Sequence, residues 1–444
     1  MNLNTVSMNK RHGGIVVKTL AKPNKGVTGS IRVPGDKSIS HRTAIIGAIA
    51  SGTTEITGYA SGLDCSSTLT CIEKLGVTVE HPSQNNILIH SGGPESLKEP
   101  DTVLDAGNSG TTMRLLTGTL ASLPFCSVIT GDSSLRNRPM DRVTGPLRQM
   151  GACICGRKDG CYAPLMIKGG NTHGIYYQLK IASAQVKSAI LLAGLNATGC
   201  TTVEEPYRSR DHTERLLKWF GAEISTEGMQ TTITGKTRIR GTRVPVPGDI
   251  SSAAYFLALA AALPESDLTI ASVGINPTRI GFVEALQHMG ANITLTDNKQ
   301  YGFEPVASIR VKSSDLTAIE VRPEQIPNLI DEIPVLAVVC TQAKGVTRIS
   351  GAQELRVKES DRLSAITKEL KKMGANIQET SSGLVIEGPT PLCGAEVETY
   401  GDHRIAMAMA VAGSLASGTT MTNNPSCVDI SFPEFWDLIE QVKQ

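Results

Sequence analysis

Leu363-Ser364-Ala365-Ile366-Thr367-Lys368-Glu369-Leu370-Lys371-Lys372-Met373-Gly374-Ala375 places apolar residues at 363, 366, 370 and 373 and then stops on glycine. That spacing predicts an amphipathic helix with one buried stripe, closed by a glycine suited to the left-handed residue after a helix. The same ending occurs four more times, as Leu75-Gly76-Val77, Met150-Gly151-Ala152, Phe220-Gly221-Ala222 and Met289-Gly290-Ala291. The marks lie about 70–85 residues apart, longer than an ordinary solenoid period, so they punctuate repeats of a small supersecondary unit. A second, almost wholly apolar helix is expected at 43–50, 188–195, 253–263, 333–339 and 405–412. Helices apolar all round belong inside. Most are followed by Gly and Thr and then a β-prone segment, as in Ser51-Gly52-Thr53-Thr54 and Ser417-Gly418-Thr419-Thr420. The expected unit is strand, inner helix, strand, outer helix and two further strands, six times over.

Val33-Pro34-Gly35-Asp36 recurs as Val246-Pro247-Gly248-Asp249, and Pro-Gly pairs punctuate chains. Cutting there gives one three-repeat domain over 34–246 and another, discontinuous, over 14–33 and 247–444. Residues 1–13 read as a mobile N-terminal extension. Two chain crossings would act as a hinge, and ligands favour a cleft between domains.

The 444 residues carry 43 Lys+Arg against 42 Asp+Glu, a net charge of +1, which argues against a broad nucleic-acid or acidic-membrane surface. The longest purely apolar run, 253–263, is too short to span a bilayer, and the first 17 residues lack a secretory apolar core. Ten scattered cysteines form no CxxC pair, and the group Cys153, Cys155 and Cys161 has no nearby ligand histidine. No metal is expected, and a reducing, cytoplasmic compartment is.

A polar cluster precedes each inner helix: Asp36-Lys37-Ser38-Ile39-Ser40-His41-Arg42, Asn108-Ser109-Gly110-Thr111-Thr112, Ser183-Ala184-Gln185, Asp249-Ile250-Ser251-Ser252, Asp331-Glu332 and Asp402-His403-Arg404. Helix starts offer unpaired N–H groups and the positive end of a dipole, a natural anion site. Capping alone accounts for residues such as Ser251 and Ser252. It does not account for Lys37, Arg42, Arg138, Arg210, Lys358, Arg362 and Arg404, because cations there oppose the dipole unless an anion joins them. The implied ligands carry several negative charges, phosphates or carboxylates, which arginine binds in bidentate fashion. Asp331, heading an apolar helix beside cations, and Glu359, between Lys358 and Arg362, are the acid–base candidates. A helical ion-pair ladder over 356–362 is the alternative for that run. Gly35-Asp36-Lys37-Ser38 lacks the glycine spacing of a phosphate-binding loop, and no GxGxxG after a strand, HExxH or calcium loop occurs, so no cofactor is expected.

Five ordered stretches carry a resemblance to a known family. They are Pro34–Arg42, Gly107–Arg114, Arg136-Asn137-Arg138-Pro139, Arg356–Arg362 and Gly401-Asp402-His403-Arg404. From about Val17 the chain resembles the EPSP synthase family. That resemblance implies an inside-out α/β barrel of two domains, each of three βαβαββ units. It also implies transfer of enolpyruvate from phosphoenolpyruvate to the 5-hydroxyl of shikimate 3-phosphate, by a monomer acting without nucleic acid or membrane. By motif, Lys37, Ser38, Arg42, Ser183, Gln185, Asp331 and Lys358 would hold shikimate 3-phosphate, with Arg210 or its neighbour Arg208 as a further phosphate ligand. Lys37, Gly110, Arg138, Gln185, Arg362 and Arg404 would hold phosphoenolpyruvate, and Asp331, Glu359 and Lys37 would move protons. Leu115 after Arg114 and Ile430 before Ser431-Phe432-Pro433 look like the family's second, more divergent class, and Gly110 implies inhibition by glyphosate. UDP-N-acetylglucosamine enolpyruvyl transferase is the nearest rival, but 131–136 lacks that family's cysteine and Lys37-Ser38 differs from its Lys-Asn. A non-catalytic anion-binding scaffold is the remaining alternative, set against the presence of Lys37, Asp331, Glu359 and Arg404.

Overall fold

The structure, a computed structural model, describes residues 10–12 and 15–443. Six four-stranded mixed sheets occur among the described residues, three built from a single repeat and three completed by strands from elsewhere in the chain: Arg243–Pro245, Thr28–Ile31, and Lys10–His12 with Ile15–Ala21. One strand pairing in each is parallel and the others are antiparallel. Ser51–Thr57, for example, runs parallel to Arg243–Pro245 and antiparallel to Asn86–Gly92, which pairs antiparallel with Thr78–Ser83. The pattern recurs around Cys200–Glu204 with Gln230–Thr234 and around Gly345–Ile349 with Leu384–Gly388. Because Arg243–Pro245 returns to the sheet of Ser51–Thr57, the three repeats between them close on themselves.

The five glycine marks close their helices as the spacing predicts. Gly76, Gly151, Gly221, Gly290 and Gly374 all have φ between 87° and 104°. The amide after each glycine donates back into the last turn, Ala152 N to Leu147 O at 3.1 Å and Ala375 N to Leu370 O at 3.0 Å among them. This is the double-bonded C-terminal cap that satisfies carbonyls otherwise orphaned.

The inner helices are buried on every side; in Ile250–Ala262 each residue through Ala261 is buried. Gly118 shows how tightly they pack, since a Cβ there would lie 2.2 Å from the Ala189 carbonyl carried by the helix Ala184–Asn196. Any larger residue would force the two backbones apart.

The chain divides into two compact units. The first comprises Met1–Val33, Gly248–Lys299 and Pro305–Gln444; the second comprises Pro34–Pro247 and Gln300–Glu304. Each has its own apolar core. The first is anchored by Phe256, Phe432 and Phe435, with ring centroids 5.6–6.2 Å apart. The second is built mainly from Ile, Leu, Val and Ala, joined by Phe220 and by Phe303 from the tip of a hairpin. The expected extension at 1–13 lies outside the described residues except for Lys10–His12, a strand paired with Ile15–Val17. No helix among the described residues is long and apolar enough to cross a membrane.

Candidate active site

In the second unit three inner helices begin at polar clusters. Asp36 caps Lys37–Ala48 by accepting from Ile39 N at 2.9 Å, Ser109 caps Gly110–Ala121 and Ser183 caps Ala184–Asn196. Lys37, the first residue of its helix, places Nζ 2.5 Å from the buried carboxylate of Asp64. Arg42, only 2% exposed, ties the helices together: Nε donates to Thr213 Oγ1 at 2.7 Å, Nη1 to Ser38 O at 3.0 Å and Nη2 to Ser188 Oγ at 3.1 Å. A buried relay runs from His41 Nδ1 to Thr68 Oγ1 at 2.6 Å, on to Thr112 Oγ1 at 2.6 Å, and to Ser109 Oγ at 2.7 Å. Burial, with the charges of Lys37 and Arg42, holds the His41 imidazole well below its ordinary pKa, so it stays neutral.

Arg210 Nη1 donates to Ser38 Oγ at 3.2 Å, whereas Arg208 Nη2 donates to Gly228 O at 2.9 Å. Of these two candidates, Arg210 therefore stands against the Lys37–Arg42 helix start. Arg138 donates to Asn108 O at 3.2 Å, Asn108 Oδ1 at 2.8 Å and Ser134 Oγ at 3.2 Å. Arg114 donates to Gln185 Oε1 at 2.8 Å, and Gln185 Nε2 donates to Thr111 Oγ1 at 2.9 Å. A Cβ on Gly110 would meet Arg114 Nη1 at 2.7 Å and Arg138 Nη1 at 3.4 Å, so Gly110 leaves the first turn of its helix open to both guanidinium groups.

The first unit assembles a denser charge cluster. Asp331, in a short 3-10 turn before the helix Ile333–Cys340, accepts the field of three cations: Arg362 Nη1 at 3.5 Å, Arg404 Nη2 at 3.7 Å and Lys358 Nζ at 4.0 Å. Arg404 Nη1 also donates to Asp331 O at 3.0 Å. Arg362 donates to Glu359 Oε2 at 2.6 Å and, in a fork, to Asp402 Oδ2 at 2.8 Å and Oδ1 at 3.2 Å. Burial opposes the charge of Arg362, but Asp402 and Glu359 outweigh it, and the group remains protonated. The same holds for Arg404, with Asp331 the largest favourable neighbour.

The 356–362 run is not a helical ladder. Gln353–Val357 is a 3-10 turn, and the helix restarts at Arg362 with Asp361 capping Ser364 N at 3.1 Å, so Lys358 and Arg362 do not share a helical face. The cap of Ile250–Ala262 is Asp249, accepting from Ser251 N at 2.9 Å, while the Ser251 hydroxyl instead donates to Glu332. Sequence reasoning missed Asp64, Arg114 and Arg279 as members of these clusters, and it named Glu332 beside Asp331 without giving it a role. Arg114 lay inside a quoted motif; Asp64 and Arg279 carry no local signal. Asp211, His212 and Glu304 bring ligand atoms within 4.8 Å of one another, but Arg215 lies 2.8 Å from Asp211 and 4.0 Å from Glu304 and already balances them. The ten cysteines are unpaired, and burial pushes the thiols of Cys71, Cys340 and Cys427 up to about 12, which keeps them protonated and inert.

A profile of the family described as EPSP synthase (3-phosphoshikimate 1-carboxyvinyltransferase) matches residues 21–439. The chain is 49% identical over 426 residues to a protein of Desulforamulus reducens named 3-phosphoshikimate 1-carboxyvinyltransferase, covering 96% of this chain and 99% of that one. It is 53% identical over 421 residues to a protein of the same name from Desulforudis audaxviator, covering 95% and 98%. Among solved structures, EPSP synthase of Acinetobacter baumannii is similar with a TM-score of 0.85 at 44% identity, over 96% of this chain and 98% of that one.

Proposed function

The chain belongs to the EPSP synthase family, and on that premise we infer that it moves the enolpyruvyl group of phosphoenolpyruvate to the 5-hydroxyl of shikimate 3-phosphate, with release of phosphate. It is a transferase of aromatic amino-acid biosynthesis, working in the cytoplasm as a monomer. The observation that carries the site reading is Asp331, a nearly buried carboxylate within 4.0 Å of Arg362, Arg404 and Lys358.

The second unit's helix starts supply the receptacle for shikimate 3-phosphate. Ser38, Arg42, Ser183 and Arg210 hold its anionic groups, with Lys37 and Gln185 at the border with phosphoenolpyruvate. Arg138 and Gly110 serve the donor on that unit, and Arg362 and Arg404 serve it on the first. Both substrates are anions, so much of the catalytic gain comes from overcoming their repulsion and holding the reacting atoms together.

A proton must reach the methylene carbon of phosphoenolpyruvate, leaving cationic character on the adjacent carbon. The 5-hydroxyl attacks that carbon while Asp331 takes its proton, and a tetrahedral adduct forms. The new methyl group then returns a proton as the carbon–oxygen bond to phosphate breaks, which re-forms the carbon–carbon double bond and yields the enol ether. Glu359 and Lys37 carry these two transfers. Arg362, Arg404 and Lys358 surround the Asp331 carboxylate, and the single bond from Arg362 Nη2 to Glu359 Oε2 fixes the orientation of Glu359.

Phosphate release measured with both substrates, and with each omitted, tests the assignment. Release is expected only when both are present. Release from phosphoenolpyruvate alone, or with UDP-N-acetylglucosamine as acceptor, overturns it.

A further inference from the structure

Arg279 belongs to no motif named above, yet it is 2% exposed and held in a rigid turn. Asn276 Oδ1 accepts from both the amide and the hydroxyl of Thr278 at 2.8 Å, and this fixes Arg279 just before the helix Gly281–His288. Its Nη2 donates to Ser251 Oγ at 2.6 Å and lies 3.7 Å from Asp249 and 3.9 Å from Glu332 Oε1. Ser251 in turn donates to that same Glu332 oxygen. On its other side Glu332 Oε1 meets Arg404 Nη1 at 3.7 Å. One buried carboxylate oxygen is thus shared between two arginines and a hydroxyl. Glu332 is 1% exposed, and its second oxygen, Oε2, is buried without a hydrogen-bond partner.

We propose that Arg279 is a positioning residue that keeps Glu332 from closing on Arg404, so that Arg404 stays available to the carboxylate or phosphate of phosphoenolpyruvate. The inference rests on the assignment of Arg404 to that substrate. The physical ground is competition. A buried carboxylate with an unused oxygen takes the best cation in reach, because leaving it unsatisfied is costly. Ser251 alone hydrogen-bonds Glu332, Arg279 backs that hydroxyl and adds its charge 3.9 Å from Oε1, and Arg404 stands on the other side at 3.7 Å, so both arginines lie beyond hydrogen-bond distance and pull on the carboxylate from opposite sides. Without the Arg279 charge, Glu332 turns to Arg404, shortens that pair and removes from the substrate the guanidinium it needs. Asp249 and Ser251 alone offer Glu332 no replacement cation.

Replacing Arg279 by methionine should raise the KM for phosphoenolpyruvate on the order of tenfold, the scale of one charge-assisted hydrogen bond, and leave the KM for shikimate 3-phosphate within about twofold. Arg279→Lys should recover most of the loss, and adding Glu332→Gln to Arg279→Met should recover it too, because the competing charge is gone. The rescued double variant also removes the unpaired buried carboxylate that could stop the single variant from folding. Equal KM values for phosphoenolpyruvate in folded Arg279→Met and the parent overturn the proposal, as does a double variant no better than the single. Arg404→Lys is the control. If it weakens phosphoenolpyruvate while Arg279→Met does not, this inference alone fails; if it changes nothing, the reading of Arg404 fails and takes the inference with it.

Discussion

The helix starts of the two units occupy equivalent places in the repeat but carry their cations in different states. In the second unit Arg42, Arg114 and Arg138 hydrogen-bond to hydroxyls, carbonyls and amides of Thr213, Ser188, Pro139, Gln185 and Asn108. In the first unit Arg362 lies within 4.0 Å of Asp331, Glu359 and Asp402, and Arg404 within 4.0 Å of Asp331 and Glu332. An anion arriving at Arg42, Arg114 or Arg138 meets hydroxyl, carbonyl and amide partners, although Lys37 of the same unit is already paired with Asp64. At the first unit it competes with carboxylates built into the fold. The first arrangement suits a receptacle. The second suits proton traffic, since the carboxylates are held in fixed orientations beside several cations.

Five substitutions probe this contrast. The largest effect belongs to Asp331→Ala, which should cut turnover at least about 100-fold, the general-base scale, while shikimate 3-phosphate still binds to the second unit's residues. Near-normal turnover in steady-state assays would remove Asp331 from the chemistry. Stability separates the units next. Asp402→Ala strips the forked partner from a buried arginine and should cost about 3–5 kcal/mol in chemical unfolding, whereas Ser188→Ala removes one neutral partner of Arg42 and should cost about 1 kcal/mol. Similar losses for the two would erase the distinction between the units. Smallest is the pair Arg210→Ala and Arg208→Ala: the first should raise the KM for shikimate 3-phosphate by roughly tenfold and the second by less than about twofold. A reversed order would hand the phosphate to Arg208.

Much of the fold was legible because its punctuation is a local backbone requirement. A residue at φ near 90° after a helix selects glycine whatever lies around it, and around Gly221 there is open space, so conformation rather than crowding explains it. The caps were partly legible: Ser109 and Ser183 cap their helices, but Asp249 displaces Ser251 in that role. The alternative of a helical ladder at 356–362 fails because Asp361 is itself a cap, and a cap breaks the helix on which i,i+4 pairing depends. Asp64 and Arg279, and the contacts of Glu332, were out of reach for a different reason. Their partners come from elsewhere in the chain, Lys37 for Asp64 and Ser251 for both Arg279 and Glu332, and no local period reports a contact across 27, 28 or 81 residues.

The most direct test of the contrast is calorimetric titration of each substrate into enzyme lacking the other, followed by phosphoenolpyruvate into enzyme saturated with shikimate 3-phosphate or an unreactive analogue of it. Shikimate 3-phosphate should bind readily by itself, phosphoenolpyruvate weakly by itself, and phosphoenolpyruvate markedly more tightly once the first ligand is in place. Tight binding of phosphoenolpyruvate to the empty enzyme, unaffected by the other ligand, would contradict the view that built-in carboxylates hold the first unit's arginines in check.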